Sequence, residues 1–162
     1  MHETAVNEVR EALNLIIEAE HAIEKFYSAC AACFPENRQF WQGLGKEESA
    51  HAVLLTGMVQ ALRKKPEAFS IGKLSPLTAI QTAVGRVYAS LAKLNAGSLT
   101  EKNALLFAYE FESTTLEREY WEVIQTTNPD LRAAFLKLRE AGGDHRDQIR
   151  NQMQGTTKPE NG

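Results

Sequence analysis

Lys46-Glu47-Glu48-Ser49-Ala50-His51 (KEESAH) lies mid-way along a stretch of helical periodicity and sets Glu48 and His51 three residues apart. Three residues is close to one turn, so the acid and the imidazole share a helix face. Along that face the residues are Trp41, Leu44, Glu48, His51, Leu55, Met58 and Leu62, alternately three and four positions apart. Two ionisable groups thus interrupt an apolar seam that must face a core. Whatever they meet there decides what the fold encloses.

Working outward, the same rhythm runs through the preceding segment as Val9, Leu13, Ile16, Glu20, Ile23, Tyr27, Cys30 and Phe34. It predicts one helix over about 4–34, closed by Pro35. The KEESAH helix then covers about 36–64. Arg63, Lys64 and Lys65 suit the negative pole of its dipole, and Pro66 stops it. Residues 66–76 read as a loop ending in a Ser75-Pro76 cap, followed by a shorter helix over about 76–95. That helix carries Leu77, Ile80, Val84, Val87, Leu91 and Leu94 on one face, with no ionisable residue among them. Ser98 with Glu101 fits a capping box for a helix over about 99–126, whose seam is Leu105, Tyr109, Glu112, Leu116, Glu119 and Val123. Asn128-Pro129 opens the last helix, about 129–153, with Leu131, Phe135, Leu138, Gly142, His145 and Ile149 facing inward.

The expected class is all-α. Short connections within the first and last pairs make two antiparallel hairpins of a four-helix bundle, with the extra short helix in the long connection between them. Residues 1–153 form the bundle domain, and the polar tail 154–162 is expected to be disordered.

The bulk properties exclude several classes. The chain has 162 residues, 43% hydrophobic and 24% charged, with net charge −3, which gives no electrostatic case for nucleic acid. No apolar run approaches the roughly 20 residues that cross a bilayer, so no membrane partner is expected. The start, MHETAVNEVREAL, lacks the basic-then-apolar pattern of a signal peptide, so a cytoplasmic protein is expected. The two cysteines, Cys30 and Cys33, cannot form a four-thiolate site within one chain, and their helical setting reads as small apolar packing.

Each of the four long seams is interrupted near its middle by a polar group: Glu20, then Glu48 with His51, then Glu112 with Glu119 two turns on, then His145. The chain thus reads as two similar hairpins, each with an acid on its first helix and a His on its second. Several buried carboxylates cost several kcal/mol each in lost hydration and repel one another. A compact pair of divalent cations offsets both penalties. Carboxylate and imidazole donors suit iron or manganese, and one Glu from each of two helices with Glu-x-x-His from the other two is the ligand set of di-iron carboxylate bundles. A seam Glu can also reach its carboxylate to the surface, and a lone Glu-x-x-His on a helix is weak evidence; it is the coincidence of four interruptions that points to a metal.

EAEHAIEKFY (18–27) and FWQGLGKEESAH (40–51) resemble the first- and second-helix motifs of the rubrerythrin branch of the ferritin-like proteins. The resemblance covers about residues 9–150 and is looser in the second hairpin. It implies a ferritin-like four-helix bundle with Glu20, Glu48, His51, Glu112 and His145 as metal ligands, Glu119 as a further carboxylate and Tyr27 as a neighbouring hydrogen-bonding or redox residue. It further implies two iron ions, or one, with manganese or zinc as substitutes. The implied activity is reduction of peroxide or activation of oxygen at the expense of Fe(II), using a separate electron donor, in a homodimer. The departure is in REAGGDHR (139–146), where Gly142 stands at the position of the family's Glu. Glu119 swinging in, a kink bringing Glu140 or Asp144 to the site, or loss of one ion are the three ways to meet that gap. Alternative functions are a metal carrier or sensor without turnover, and a structural bundle whose metal site has decayed.

Overall fold

A computed structural model describes residues 3–72, 77–113 and 124–156. Among these residues five α-helices make an all-α, bundle-like architecture: α1 (Glu3–Cys33), α2 (Arg38–Lys64), α3 (Leu77–Asn95), α4 (Glu101–Ser113) and α5 (Pro129–Thr156). Two short strands, β1 (Phe69–Ile71) and β2 (Ile124–Thr126), complete it. Among the described residues no helix is long and apolar enough to cross a membrane.

α1 ends at Cys33 because Pro35 follows, and Pro35 itself opens a single 3-10 turn that leads into α2. So short a connection forces the two helices antiparallel. The contacts agree: Phe34 meets Trp41, Tyr27 meets Gly45 and Glu20 meets His51, so numbers fall on α1 as they rise on α2. α3 packs chiefly along α1, and α4 packs on α5. One polar network ties an end of the assembly together. Glu101 of α4 accepts hydrogen bonds from Asn37 (3.0 Å) and from Trp41 Nε1 (2.9 Å), and Asn37 accepts one from Gln152 of α5 (2.9 Å).

Three expectations are corrected. The helix proposed over 99–126 does not reach 126, because Ile124–Thr126 pairs antiparallel with Phe69–Ile71, with Ile71 opposite Ile124. The β-branched residues Ile124, Thr126 and Thr127 favour extended backbone. Ile124 and Thr126 turn inward while Gln125 turns out, and the Thr126 hydroxyl donates to Ala68 O at 2.9 Å. The last pair of helices is therefore joined by more than a short turn. Second, the cap of α4 is Thr100, whose Oγ1 accepts the Asn103 N–H at 3.3 Å; Glu101 is engaged by α2 instead of closing a box with Ser98. Third, α5 extends through residues 154–156 of the expected tail. Ser75-Pro76, Leu116, Glu119 and Val123 lie outside the described residues. As expected, Asn128 Oδ1 caps α5, accepting from the N–H groups of Asp130 (2.9 Å) and Leu131 (3.2 Å).

The core divides in two. One apolar cluster holds Leu13, Ile16, Leu55, Met58, Phe69 and Phe135. The other holds Phe26, Trp41, Leu44, Leu105, Phe111 and Ile149. Between them, on α1, α2 and α5, lie the levels of Glu20, Glu48 and His145. The polar residues therefore occupy a band sealed above and below by packed hydrocarbon.

Two glycines should respond oppositely to alanine. Gly97 has φ +70° and closes α3, with the Ser98 N–H bonded to Lys93 O. Gly143 lies within regular α5, and a Cβ there would meet nothing within 4 Å. Gly143→Ala should raise unfolding free energy by about 0.5–1 kcal/mol, and Gly97→Ala should lower it by about 1 kcal/mol, both read by urea titration.

Candidate metal centre

Glu20 leaves α1 at a fully buried position, one helical turn from Ile16 and one from Ile23 on the same stripe. Glu48 leaves α2 between Leu44 and Leu55, also buried. His51, one turn on, is 13% exposed and forms the site's partial opening. Glu112 is buried near the end of α4, and His145 of α5 has no exposed surface. Four separate helices thus deliver three carboxylates and two imidazoles to one band.

Their atoms converge on two overlapping groups, Glu20 with Glu48 and His51, and Glu48 with Glu112 and His145. Within each group one donor atom per residue lies within 4.8 Å of the others. Glu48 belongs to both. Its Oε2 is 3.3 Å from His51 Nδ1 and its Oε1 is 2.7 Å from His145 Nδ1. His51 Nδ1 also faces Glu20 Oε2 at 3.6 Å, and His145 Nδ1 faces Glu112 Oε1 at 3.6 Å. The two imidazole rings stack with centroids 5.5 Å apart. Tyr27 crosses from α1 to donate to Glu112 Oε1 at 2.5 Å.

Burial and charge set unusual protonation. Burial, with the Glu48 charge beside it, pushes the Glu20 carboxyl up to about 8. Burial and the Glu112 charge act to raise Glu48 too, but hydrogen-bonding contacts from Glu20, His145 and His51 outweigh them and hold it below the usual carboxylate range. Burial acts to lower both histidines. Glu20 and Glu48 outweigh it at His51, pushed up to about 10, and Glu112 and Glu48 outweigh it at His145, pushed up to about 12.

The donor set fits a divalent cation. Glu48 Oε1 and His145 Nδ1 are buried and close, yet neither makes an aligned hydrogen bond. The two meet as an ion pair at 2.7 Å, and with Glu112 they present three buried donor atoms within 4.8 Å of one another, a spacing that one cation could span. Carboxylate oxygen with imidazole nitrogen suits first-row divalent ions.

The structure brings together Glu20, Glu48, His51, Glu112 and His145 and leaves other candidates aside. Glu119 lies outside the described residues. α5 runs unbroken through Gly142 and Gly143, and Glu140 and Asp144 are exposed, so no kink carries either to the site. Tyr27, expected as a hydrogen-bonding neighbour of the site, donates to Glu112 on α4. Tyr109 is half-buried beside Arg150 and Met153. Both cysteines are free, Cys30 buried with its thiol pushed up by that burial, and Cys33 exposed. One residue escaped the sequence reading. Glu47, half exposed on the flank of α2, touches His145 Nε2. Its only signal was the doubled acid in KEESAH, and its place about 100° around the helix from Glu48 reads as solvent-facing.

A comparison with protein-family models, curated proteins and solved structures finds no match for this chain.

In chelator, the stability of the protein should fall with rising pH. Glu20 is raised from 4.5 to about 8 and His51 from 6.5 to about 10. A raised folded-state pKa gives stability that is complete below the unfolded value and lost as pH climbs through the folded one. The melting temperature should therefore be higher at pH 6 than at pH 9, by about 5 °C or more. His51→Ala should shrink the part of that slope above about pH 6.5. A melting temperature that is flat or rises over this range would contradict the protonation pattern.

Proposed function

We propose that this chain is a ferritin-like di-metal carboxylate protein of the rubrerythrin type, which binds two iron ions and reduces peroxide or oxygen with electrons from a separate donor. The observation that carries the reading is the sharing of Glu48 between two groups, one wholly buried and one open only at His51, each with its own carboxylate and its own imidazole. A carboxylate shared between two such groups could serve both ions of a dinuclear centre.

In this reading Glu20 and His51 hold one ion, Glu112 and His145 the other, and Glu48 both. When bound, a non-haem iron pair supplies the redox chemistry toward dioxygen species. The chain's own residues supply the setting. The apolar clusters on both sides exclude water, and Tyr27 fixes the orientation of Glu112 through its hydroxyl. His51, the one partly exposed member of the five, marks the side from which a small oxidant enters. Gly142, buried one turn before His145, removes the carboxylate that the resemblance would place there. That favours a second reading, binding without turnover.

Ion counting after anaerobic Fe(II) loading and desalting separates these. The wild type should retain about two ions per chain, His51→Ala and His145→Ala about one each, and Glu48→Gln close to none. Circular dichroism melts should show each variant folded. Bleaching and recovery of a visible band with reductant and peroxide would support turnover, and stable loading without reaction would support the carrier reading. A wild type that retains under about a tenth of an ion per chain would overturn metal binding altogether.

A further inference from the structure

His145 is buried completely and has a carboxylate at each ring nitrogen. Nδ1 faces Glu48 and Glu112, while Nε2 touches Glu47 Oε2. Glu47 and Glu48 are consecutive on α2, so one helix holds the imidazole by both edges. The two acids differ in setting: Glu48 is buried, and Glu47 is about half exposed. An exposed carboxylate keeps most of its hydration and stays acceptor-only, so it can take a hydrogen bond without the penalty of a second buried charge.

A neutral imidazole has one N–H and one lone pair, and the partner of one nitrogen decides the role of the other. For Nδ1 to offer its lone pair between Glu48 and Glu112, the proton must sit on Nε2. Glu47 is placed to accept that proton. His51 differs. Its recorded contacts among the described residues run through Nδ1, and its ring is partly exposed.

We infer that Glu47 is a positioning residue for the metal position formed by Glu48, Glu112 and His145, accepting the Nε2–H of His145 and so directing its Nδ1 into the site. This rests on the metal reading above. It also makes the two positions unequal, since Glu47 supports the buried histidine and leaves the other one alone.

Zn(II) titration against a chromophoric chelator, with wild type, Glu47→Ala and Glu47→Gln, tests it. Glu47→Ala should weaken one of the two Zn(II) steps by about 10–100-fold and leave the other unchanged. Glu47→Gln, whose amide oxygen still accepts from Nε2–H, should stay nearer wild type. In the Zn(II)-loaded, nitrogen-labelled protein, the His145 Nε2–H should exchange slowly in the wild type and rapidly in Glu47→Ala. Wild-type binding by Glu47→Ala, or equal weakening of both steps, overturns the inference alone. A wild type that takes up no Zn(II) overturns the metal reading and this inference with it.

Discussion

Everything in this fold is arranged around one electrostatic problem: Glu20, Glu48 and Glu112 share a dry space. Each carboxylate removed from water loses several kcal/mol of solvation, and mutual repulsion adds to it. Positive charge has to be present for the band to exist. Protonation supplies part of it, since Glu20 and both histidines hold their protons to higher pH than usual. Glu48 is the exception, kept ionised by contacts with Glu20, His145 and His51. The acid that both groups share is therefore one whose charge the surroundings favour, in contrast to Glu20.

The rest of the chain keeps that band closed. On α1 the polar level sits between Ile16 and Ile23, on α2 between Leu44 and Leu55, and on α5 between Leu138 and Ile149. Aromatic packing stiffens one side, with Phe26 edge-on to Phe111 and Tyr27 tilted against Trp41. Tyr27 joins both functions, its ring in the apolar cluster and its hydroxyl on Glu112. On the other side β1 and β2 bring Phe69 and Ile124 over the core. A two-stranded ribbon is marginal by itself; here it holds because both strands bury a side chain against the helices.

The sequence made the seams legible because helical periodicity is a local property. Glu20, Glu48, Glu112 and His145 stand at regular places in apolar stripes, so their burial follows from spacing alone. What crosses between helices was not legible. That Tyr27 bonds Glu112 depends on how α1 and α4 are offset, and no intrahelix count contains that. Thr100, which directly precedes the first helical residue, is the cap in place of Ser98, and Glu101 turns to Asn37 and Trp41, partners 64 and 60 positions away. Ile124–Thr126 looked like the end of a helix because one apolar residue in so short a run fits either period; only the strand at 69–71 decides between them. Glu47 was hidden for the same reason, since only the approach of α5 gives an outward-facing acid an inward role.

Gly142 is where these considerations meet. On α5 a second carboxylate one turn before His145 would mirror the Glu48 and His51 pair of α2, and a glycine there removes it without disturbing the helix. The α5 side of the band is left with a single donor, His145. A donor that stands alone has no neighbour on its own helix to share the work of orientation, so its ring is fixed from outside. α2 does this with two successive acids, one on each nitrogen. The asymmetry follows directly. One group is built from a helix that carries both acid and imidazole and opens toward solvent at His51. The other is assembled from three helices, is wholly buried, and depends on contacts from Tyr27 and Glu47 to hold its shape.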